Sequence, residues 1–314
     1  MSIDVSSKFS RLEEHLQTVI VGKPEVIRLC LMAMLAGEHI LLEDIPGVGK
    51  TLVAKALAKS IRGEFSRIQF TPDLLPSDIV GNVIYNSKSG VFTFTPGPLF
   101  ANVVLADEIN RAPPRTQSAL LEGMSDSQVS MDGETHSLPQ PFLVIATQNP
   151  YEFEGTYVLP ESQLDRFLIR LSIGYPSREN ELTVLMSHRE GETVGQLTPV
   201  VTVDDIMELQ DRVRQVEVED SINDYVLDLV EATRNSDELR LGVSTRGALA
   251  IYRASQAWAL LAGREYVTPD DIKHLAVPVF AHRILPHGFS EGDSRRVLSE
   301  EVITGILDRI VAPS

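Results

Sequence analysis

The chain has 314 residues, about twice the length of a common domain, which predicts two domains. Hydrophobic residues make up 43% of it and charged residues 23%, proportions that exclude a disordered chain. Lys and Arg number 28 against 44 Asp and Glu, and the resulting net charge of −16 argues against a nucleic-acid binder and against a basic arm for anionic lipid.

The N-terminus and the single cysteine bear on the cellular compartment. MSIDVSSKFSRLEEHL lacks the marks of a signal peptide, and no run of 18 apolar residues predicts a membrane helix. Cys30 has no second cysteine to pair with and lies in the apolar run Val26–Leu35, so it is predicted to be an inert core residue. We therefore expect a cytoplasmic protein without membrane insertion.

Residues 1–175 alternate short apolar runs with helical segments. Runs that are apolar on both faces and separated by helices predict a parallel sheet with helices on both sides. The five predicted strands are His39–Glu43, Phe65–Phe70, Val103–Ala106, Phe142–Thr147 and Phe167–Ile173. Two stretches with alternating arms around turn residues, Asn82–Thr95 and Gln128–Leu138, predict hairpins inserted into this α/β frame.

After Pro176 the pattern becomes helical. The predicted helices are Asn180–His188, Val203–Val216, Ile222–Asn235, Thr245–Ala262 and Pro269–Arg283. We expect an α/β core over residues 1–175 and an all-helical domain over residues 176–314, with a linker at about residues 190–200.

The strongest motif is EDIPGVGKTL at Glu43–Leu52, which follows a predicted strand and opens a predicted helix. Gly47 and Gly49 let backbone N–H groups close around a phosphate chain, Lys50 supplies a cation, and Thr51 supplies a hydroxyl for Mg²⁺. The full phosphate-loop pattern has glycine six residues before the lysine, where this chain has Asp44. We expect Asp44 to take a positive φ there. The alternative is a glycine turn before an ordinary helix.

Two further strand ends carry polar residues. Asp107 and Glu108 follow the apolar run VVLA, so Asp107 is expected to hold Mg²⁺ through its water shell and Glu108 to activate the attacking water. Asn149 follows FLVIAT, and a place beside the phosphate-loop strand would let it position that water. Taken alone, each motif also fits a structural role, an acid at a strand end or an Asn-Pro turn.

Together these motifs resemble the AAA+ ATPases. The segments PGVGKT, FTPDLLPSDIVG, GPLFANVVLADEINRAPPRTQSALLEGM, ATQNP and LPESQLDRF resemble the MoxR family over roughly residues 15–310. The resemblance implies an AAA+ core followed by a helical lid, with ATP or ADP and Mg²⁺ as cofactors. It implies nucleotide contacts from Val21, Gly22, Pro46, Gly47, Val48, Gly49, Lys50, Thr51 and Leu52, metal contacts from Thr51 and Asp107, and catalytic roles for Glu108 and Asn149.

The resemblance also assigns arginines. Arg166 matches the arginine finger that acts on a neighbouring subunit, and Arg170 is a second candidate; a salt bridge from Arg166 to Asp165 is the structural alternative. Arg246 matches the second sensor, expected to pull the helical domain onto the phosphates. Val243 and Thr245 depart from the alanine and proline that are common in the family at those positions, while the arginine is kept. Intersubunit contacts are expected near three further residues, Arg111, Arg115 and Glu122.

The function implied is ATP hydrolysis coupled to remodelling or maturation of a client protein. The resemblance further implies a hexameric ring, a partner with a von Willebrand factor A domain, and hairpins that line the pore or top face. Three alternatives stay open: a magnesium-chelatase-like motor subunit, a nucleic-acid motor, which the charge of −16 disfavours, and a module that holds nucleotide without hydrolysing it.

Overall fold

The computed structural model describes residues 5–87, 90–131, 133–149, 156–187, 195, 197–288 and 293–313. In the first half the elements, besides a short 3-10 helix at Ile109–Arg111, are α1 (Val5–Gln17), α2 (Pro24–Ala36), β1 (Ile40–Glu43), α3 (Lys50–Ser60), β2 (Phe65–Gln69), α4 (Pro76–Val80), β3 (Gly81–Asn86), β4 (Val91–Pro96), β5 (Val103–Asp107), α5 (Pro114–Asp126), β6 (Gln128–Met131), β7 (Glu134–Ser137), β8 (Leu143–Gln148), α6 (Glu161–Leu164) and β9 (Ile169–Leu171).

A five-stranded parallel sheet forms the centre of this half. Its strand order is β2-β5-β8-β1-β9, and all neighbouring pairs run parallel. The predicted sheet and its five strands are confirmed. Because the strands are parallel, β1, β5 and β8 all end at the same edge of the sheet, which we call the carboxyl edge.

Apolar side chains on the two faces of the sheet pack into two separate cores. Along β1, Ile40 and Leu42 contribute to one core and Leu41 to the other. Along β5, Val103 and Val104 divide in the same way. This alternation explains why the central strands are apolar at every position: both faces are covered by helices or loops.

Both predicted hairpins are present, β3 paired with β4 and β6 paired with β7. The rings of Phe94 and His136 stack with centroids 3.9 Å apart, so the two hairpins contact each other. Tyr85 and Phe92 face each other across the first hairpin, with centroids 5.0 Å apart, and Phe92 is 69% exposed.

The second half is mainly helical. Its elements are α7 (Arg178–Ser187), α8 (Val203–Val213), α9 (Asp220–Arg234), β10 (Leu239–Leu241), α10 (Thr245–Leu261), α11 (Pro269–Phe280), β11 (Leu285–Pro286) and α12 (Asp293–Arg309). The five predicted helices are confirmed, and α12 adds a sixth. A small antiparallel pair, β10 with β11, was not predicted because strands of two or three residues are too short to show a period.

The predicted domain boundary and linker are not tested by the described structure. The boundary near residue 176 stays a prediction, and of the expected linker at 190–200, residues 190–194 and 196 lie outside the described residues.

Cys30 lies fully buried in the core as predicted, and burial raises the pKa of its thiol to about 12. Across the described parts of the chain, no helix is long and apolar enough to cross a bilayer.

Candidate active site

The glycine-rich loop lies between the carboxyl end of β1 and the start of α3. Gly47 and Gly49 have φ values of 85° and 96°, a region that strains any residue with a side chain. A Cβ on Gly47 would meet nothing within 4 Å, so backbone conformation rather than space demands glycine there. The Lys50 ammonium donates to the carbonyl of Asp44 at 2.8 Å. The loop is therefore already folded back over the N-terminus of α3.

The other predicted loop residues surround this turn. Pro46 is exposed, and Val48 packs partly buried against the core. Thr51 and Leu52 lie half-buried in the first turn of α3. The first N–H groups of a helix have no acceptor within the helix, and together with its positive dipole end they make the loop suitable for an anion.

Asp44 has no positive φ, so the expectation for this position is wrong. Its carboxylate is instead an acceptor that holds two chain segments together. Oδ2 accepts from the backbone N–H of Ile173 at 2.6 Å, from that of Gly174 at 2.7 Å, and from the Ser172 hydroxyl at 3.1 Å, while Oδ1 accepts from the N–H of Ile45 at 2.9 Å. We call these contacts the Asp44 clasp. The clasp ties the phosphate loop to the segment that follows β9.

Asp107 and Glu108 end β5 at the carboxyl edge, as predicted. Thr147 on the neighbouring strand β8 donates its hydroxyl to Asp107 Oδ1 at 2.7 Å and accepts the N–H of Glu108 at 2.9 Å. Glu108 has a φ of 58°, which is rare and strained for a residue other than glycine. Strain of this kind concentrates at functional sites, and here it turns Glu108 out of the strand direction.

Polar side chains from β2 hold both acids. Arg67 donates to Asp107 Oδ2 at 2.5 Å, and Gln69 donates to Glu108 Oε2 at 2.8 Å. Arg111 lies 3.2 Å from the same Glu108 oxygen, so its contact is within the chain. Sequence reasoning missed Arg67 and Gln69. Their alternation at the end of β2, directly beside β5 in the sheet, was the available signal.

Asn149 follows β8 and is buried, and β8 pairs directly with β1 as expected. Asn149 therefore lies at the carboxyl edge on the strand next to the one that carries the phosphate loop.

Arg170 is buried on β9 on the far side of β1. Its guanidinium lies 3.4 Å from Glu43 and 3.6 Å from Glu300 of α12. Burial lowers the pKa of Arg170, and Glu43 acts in the opposite direction. Arg170 is thus engaged by two carboxylates of its own chain, whereas Arg166 lines a cleft, so Arg166 stays the first candidate for the finger.

Val21 and Gly22 lie in the turn between α1 and α2. Gly22 has a φ of 74°, and a Cβ there would come within 1.9 Å of the Asn180 amide nitrogen on α7. The next residue, Lys23, donates to the Tyr175 carbonyl at 2.9 Å. The predicted adenine segment thus packs against residues 175–180, immediately after the segment held by the Asp44 clasp.

Arg166 and Arg246 line one cleft, of about 430 Å³, at the opposite end of the sheet. Arg166 precedes β9, and two residues later the N–H of Leu168 donates to the carbonyl of His39, just before β1 begins. The phosphate loop lies beyond the other end of β1, after about 13 Å of strand. Arg246 therefore lies about a strand length from this chain's own loop, and its expected role as the second sensor stays a prediction.

Comparison with known proteins supports the order of the two halves of the fold. The family described as "ATPase family associated with various cellular activities (AAA)" matches residues 39–169, and the AAA lid domain matches residues 231–303. The chain is 41% identical to chaperone MoxR1 of Mycobacterium tuberculosis, over 95% of this chain and 81% of that protein. The chain belongs to the MoxR family of AAA ATPases.

Two other matches cover almost the whole chain. The uncharacterized protein YeaC of Bacillus subtilis is 48% identical over 99% of this chain and 96% of that protein. The crystal structure of a protein assigned as an ATPase from Cytophaga hutchinsonii superposes with a TM-score of 0.88 at 38% identity, covering 99% of this chain and 96% of that one. Both the α/β core and the helical lid of this MoxR chain are therefore family features.

The predicted residues of this MoxR chain fall into two groups. The carboxyl edge brings together Lys50, Thr51, Asp107, Glu108 and Asn149. The opposite edge holds Arg166 and Arg246, and Glu122 on α5 lines the same cleft. Arg115 is exposed in the first turn of α5. In the described part of the chain, the two groups therefore lie at opposite ends of the sheet.

Proposed function

We propose that this chain hydrolyses ATP at the carboxyl edge of its sheet and uses the energy to remodel or mature a client protein. The observation that carries the proposal is the convergence of the glycine loop, Asp107, Glu108 and Asn149 at the ends of three adjacent strands. Such an edge, beyond the carboxyl ends of parallel strands, is where α/β proteins bind nucleotides. Membership in an AAA family supports the same activity.

The residues present fit a nucleotide and its Mg²⁺ ion. The open loop at Gly47, the N-terminus of α3 and the Lys50 ammonium suit a triphosphate, and the Thr51 hydroxyl and the Asp107 carboxylate are oxygen ligands of the kind Mg²⁺ prefers. When bound, Mg²⁺ neutralises charge on the phosphates. Thr147 orients Asp107 through a hydrogen bond at one oxygen, so the other faces Arg67 and the site.

Glu108 is the proposed general base. Its side chain is part-exposed, with the carboxylate held by Gln69 and Arg111 rather than buried in apolar surroundings. A carboxylate held in that position can accept a proton from water. Asn149, on the strand between those of Glu108 and the phosphate loop, is proposed to hold that water.

The two arginines at the opposite edge support a ring. A guanidinium neutralises charge that develops on the γ-phosphate, but Arg166 and Arg246 lie a strand length away from their own loop. We propose that both act on the nucleotide of the neighbouring subunit in a hexamer. The chaperone named among the relatives supports a remodelling role, and a partner with a von Willebrand factor A domain is proposed from the family resemblance.

Three variants test the ATPase. Lys50→Ala should abolish ATP binding measured by calorimetry, because the loop loses its cation. Glu108→Gln should keep ATP binding and lower phosphate release by about a hundredfold or more. Lys59→Ala, in the last turn of the same helix α3, is the charge-matched control and should behave as wild type. Wild-type turnover in Glu108→Gln would refute the assignment of the base.

The client can be sought with the same variant. Glu108→Gln should accumulate in the ATP-bound form, which makes a remodelling complex long-lived. Glu108→Gln and Lys50→Ala are each used as bait in a lysate that contains ATP. A client should be retained by Glu108→Gln and not by Lys50→Ala. Identical sets from both variants would argue against nucleotide-dependent remodelling.

A further inference from the structure

Asp165, the residue directly before Arg166, forms no salt bridge with it; its carboxylate is held by the helical domain. Arg283 donates from Nε to Asp165 Oδ1 at 2.9 Å, and the Ser244 hydroxyl donates to Oδ2 at 2.9 Å. One carboxylate of the core thus contacts two separate parts of the helical domain, the start of α10 and the turn after α11. The alternative that Asp165 pairs with Arg166 is wrong.

Arg283 belongs to the helical domain, but its guanidinium binds backbone carbonyls of the core. Its side chain is 2% exposed, and its guanidinium also donates to the carbonyls of Phe167 at 2.5 Å and Leu168 at 3.0 Å. Burial lowers the pKa of Arg283 to about 10, while Asp165 acts in the opposite direction, so the guanidinium stays charged at neutral pH. The residues on both sides of Arg166 are consequently held by a single buried cation.

Ser244 fixes the helix turn that carries Arg246. It is the N-cap of α10, and its hydroxyl oxygen accepts the N–H of Gly247 at 3.0 Å while the hydroxyl donates to Asp165. The first turn of α10, which carries Arg246, is therefore fixed to the residue that precedes Arg166. Packing adds to this, because a Cβ on Gly247 would come within 2.9 Å of Arg283 Cδ.

We propose that Asp165, Ser244 and Arg283 form a positioning clamp, which sets Arg166 and Arg246 at a fixed spacing so that they act together on the neighbouring subunit's phosphates. The three residues touch no phosphate themselves, and they act through the two arginines. The inference rests on the proposed trans action of those arginines.

The clamp has a distinct kinetic consequence. The nucleotide loop of a subunit lies at the other end of its own sheet, so loosening the clamp should leave that subunit's ATP affinity unchanged. Misplacement of a catalytic group by about 1 Å can cost roughly a hundredfold in rate. A clamp variant should therefore lose kcat while keeping KM, as Arg166→Ala is expected to do.

The first test measures that separation. In Asp165→Asn, kcat for ATP should fall by about tenfold to a hundredfold with KM within about threefold of wild type. Ser244→Ala keeps the Asp165–Arg283 pair and should give a smaller fall, which keeps the test decisive if Asp165→Asn folds poorly. Asp211→Asn, an exposed acid paired with Arg214 on the surface, is the control. Wild-type kcat in both clamp variants would overturn the proposal.

The second test mixes subunits. Lys50→Ala subunits carry an intact clamp and both arginines but bind no ATP, whereas Asp165→Asn subunits carry an intact nucleotide loop. The mixture should hydrolyse ATP faster than the sum of the two proteins alone, and the reference mixture of Lys50→Ala with Arg166→Ala should do the same.

The outcomes of mixing separate the two proposals. If the reference mixture recovers activity and the Asp165→Asn mixture does not, Asp165 acts on its own subunit and the clamp is overturned, with the ATPase and its trans finger intact. If the reference mixture also fails, the trans action in the proposed function is refuted, and the clamp with it. Recovery in both mixtures supports the clamp.

Discussion

Replacing Asp44 by glycine would restore the usual first residue of a phosphate loop, and we expect it to destabilise this protein. The substitution removes the Asp44 clasp, in which Oδ2 accepts the N–H groups of Ile173 and Gly174 at 2.6 and 2.7 Å. A hydrogen bond to a charged group contributes about 1.5–3 kcal/mol. Ile173 is buried and its N–H would lose its acceptor, whereas Gly174 is partly exposed and its N–H can be hydrated.

Counting the Ile173 bond in full and the Gly174 bond in part gives a loss of about 3 kcal/mol in the free energy of unfolding. Glycine adds roughly 0.5–1 kcal/mol of backbone entropy to this loss. Asp44→Asn keeps one neutral acceptor oxygen and should lose about half as much, since neutral hydrogen bonds contribute about 0.5–1.5 kcal/mol each.

Urea unfolding followed by circular dichroism measures these differences. The three proteins should rank wild type, Asp44→Asn, Asp44→Gly in unfolding midpoint. ATP affinity should change little, because the donors of the loop lie at residues 47–51. An unfolding free energy for Asp44→Gly within about 0.5 kcal/mol of wild type, the range of an ordinary surface substitution, would refute the role given to the clasp.

The remaining predictions concern three separate sites. The pKa of Asp205 is lowered to about 2, chiefly by a hydrogen bond from Lys8, so Asp205→Asn should reduce stability by at most about 2 kcal/mol above pH 4, and the deficit should shrink as the pH falls from about 4 towards 2. Gly22→Ala should lower the free energy of unfolding by about 1–2 kcal/mol through its left-handed backbone alone, besides the clash of the new Cβ with Asn180. Adding Asn180→Ala should therefore restore only the part of the stability lost to that clash. Cys30 should react with a thiol reagent at pH 8 at the rate of unfolding, because the thiol is buried and its pKa is raised to about 12.

Each of these has a contrary outcome. A deficit for the Asp205 variant that is constant from pH 6 to pH 3 would show that the ion pair with Lys8 does not set the pKa. Full recovery of stability in the Gly22 and Asn180 double variant would assign the whole effect to the clash. Rapid labelling of Cys30 without denaturant would contradict its burial.

The sheet and the carboxyl edge were predictable because they depend on local patterns. Strands such as Val103–Asp107 are buried on both faces, so every position is apolar until the strand ends and the acids begin. The glycine loop was likewise predictable, because the positive φ values that it needs fall on Gly47 and Gly49, two residues apart. Because parallel strands end at one edge of the sheet, the polar residues that follow each strand could be predicted to lie together there.

The Asp44 clasp and the place of Arg246 were not predictable in this way. The partners of Asp44 lie about 130 residues along the chain, so its acceptor role exists only once β9 is beside β1. Arg246 sits at the start of a helix, but where that helix lies relative to the core depends on Asp165, Ser244 and Arg283. Contacts between distant segments leave no period or spacing in the sequence.

Glu108 combines its proposed role as general base with a backbone conformation that suits glycine or asparagine better. At a φ of 58° a glutamate costs about 1–2 kcal/mol relative to glycine. A selection for thermal stability that ignored turnover would therefore favour the loss of this glutamate, giving a more robust and inactive protein. The proposed role of Glu108 thus predicts a trade-off between stability and activity at this φ angle.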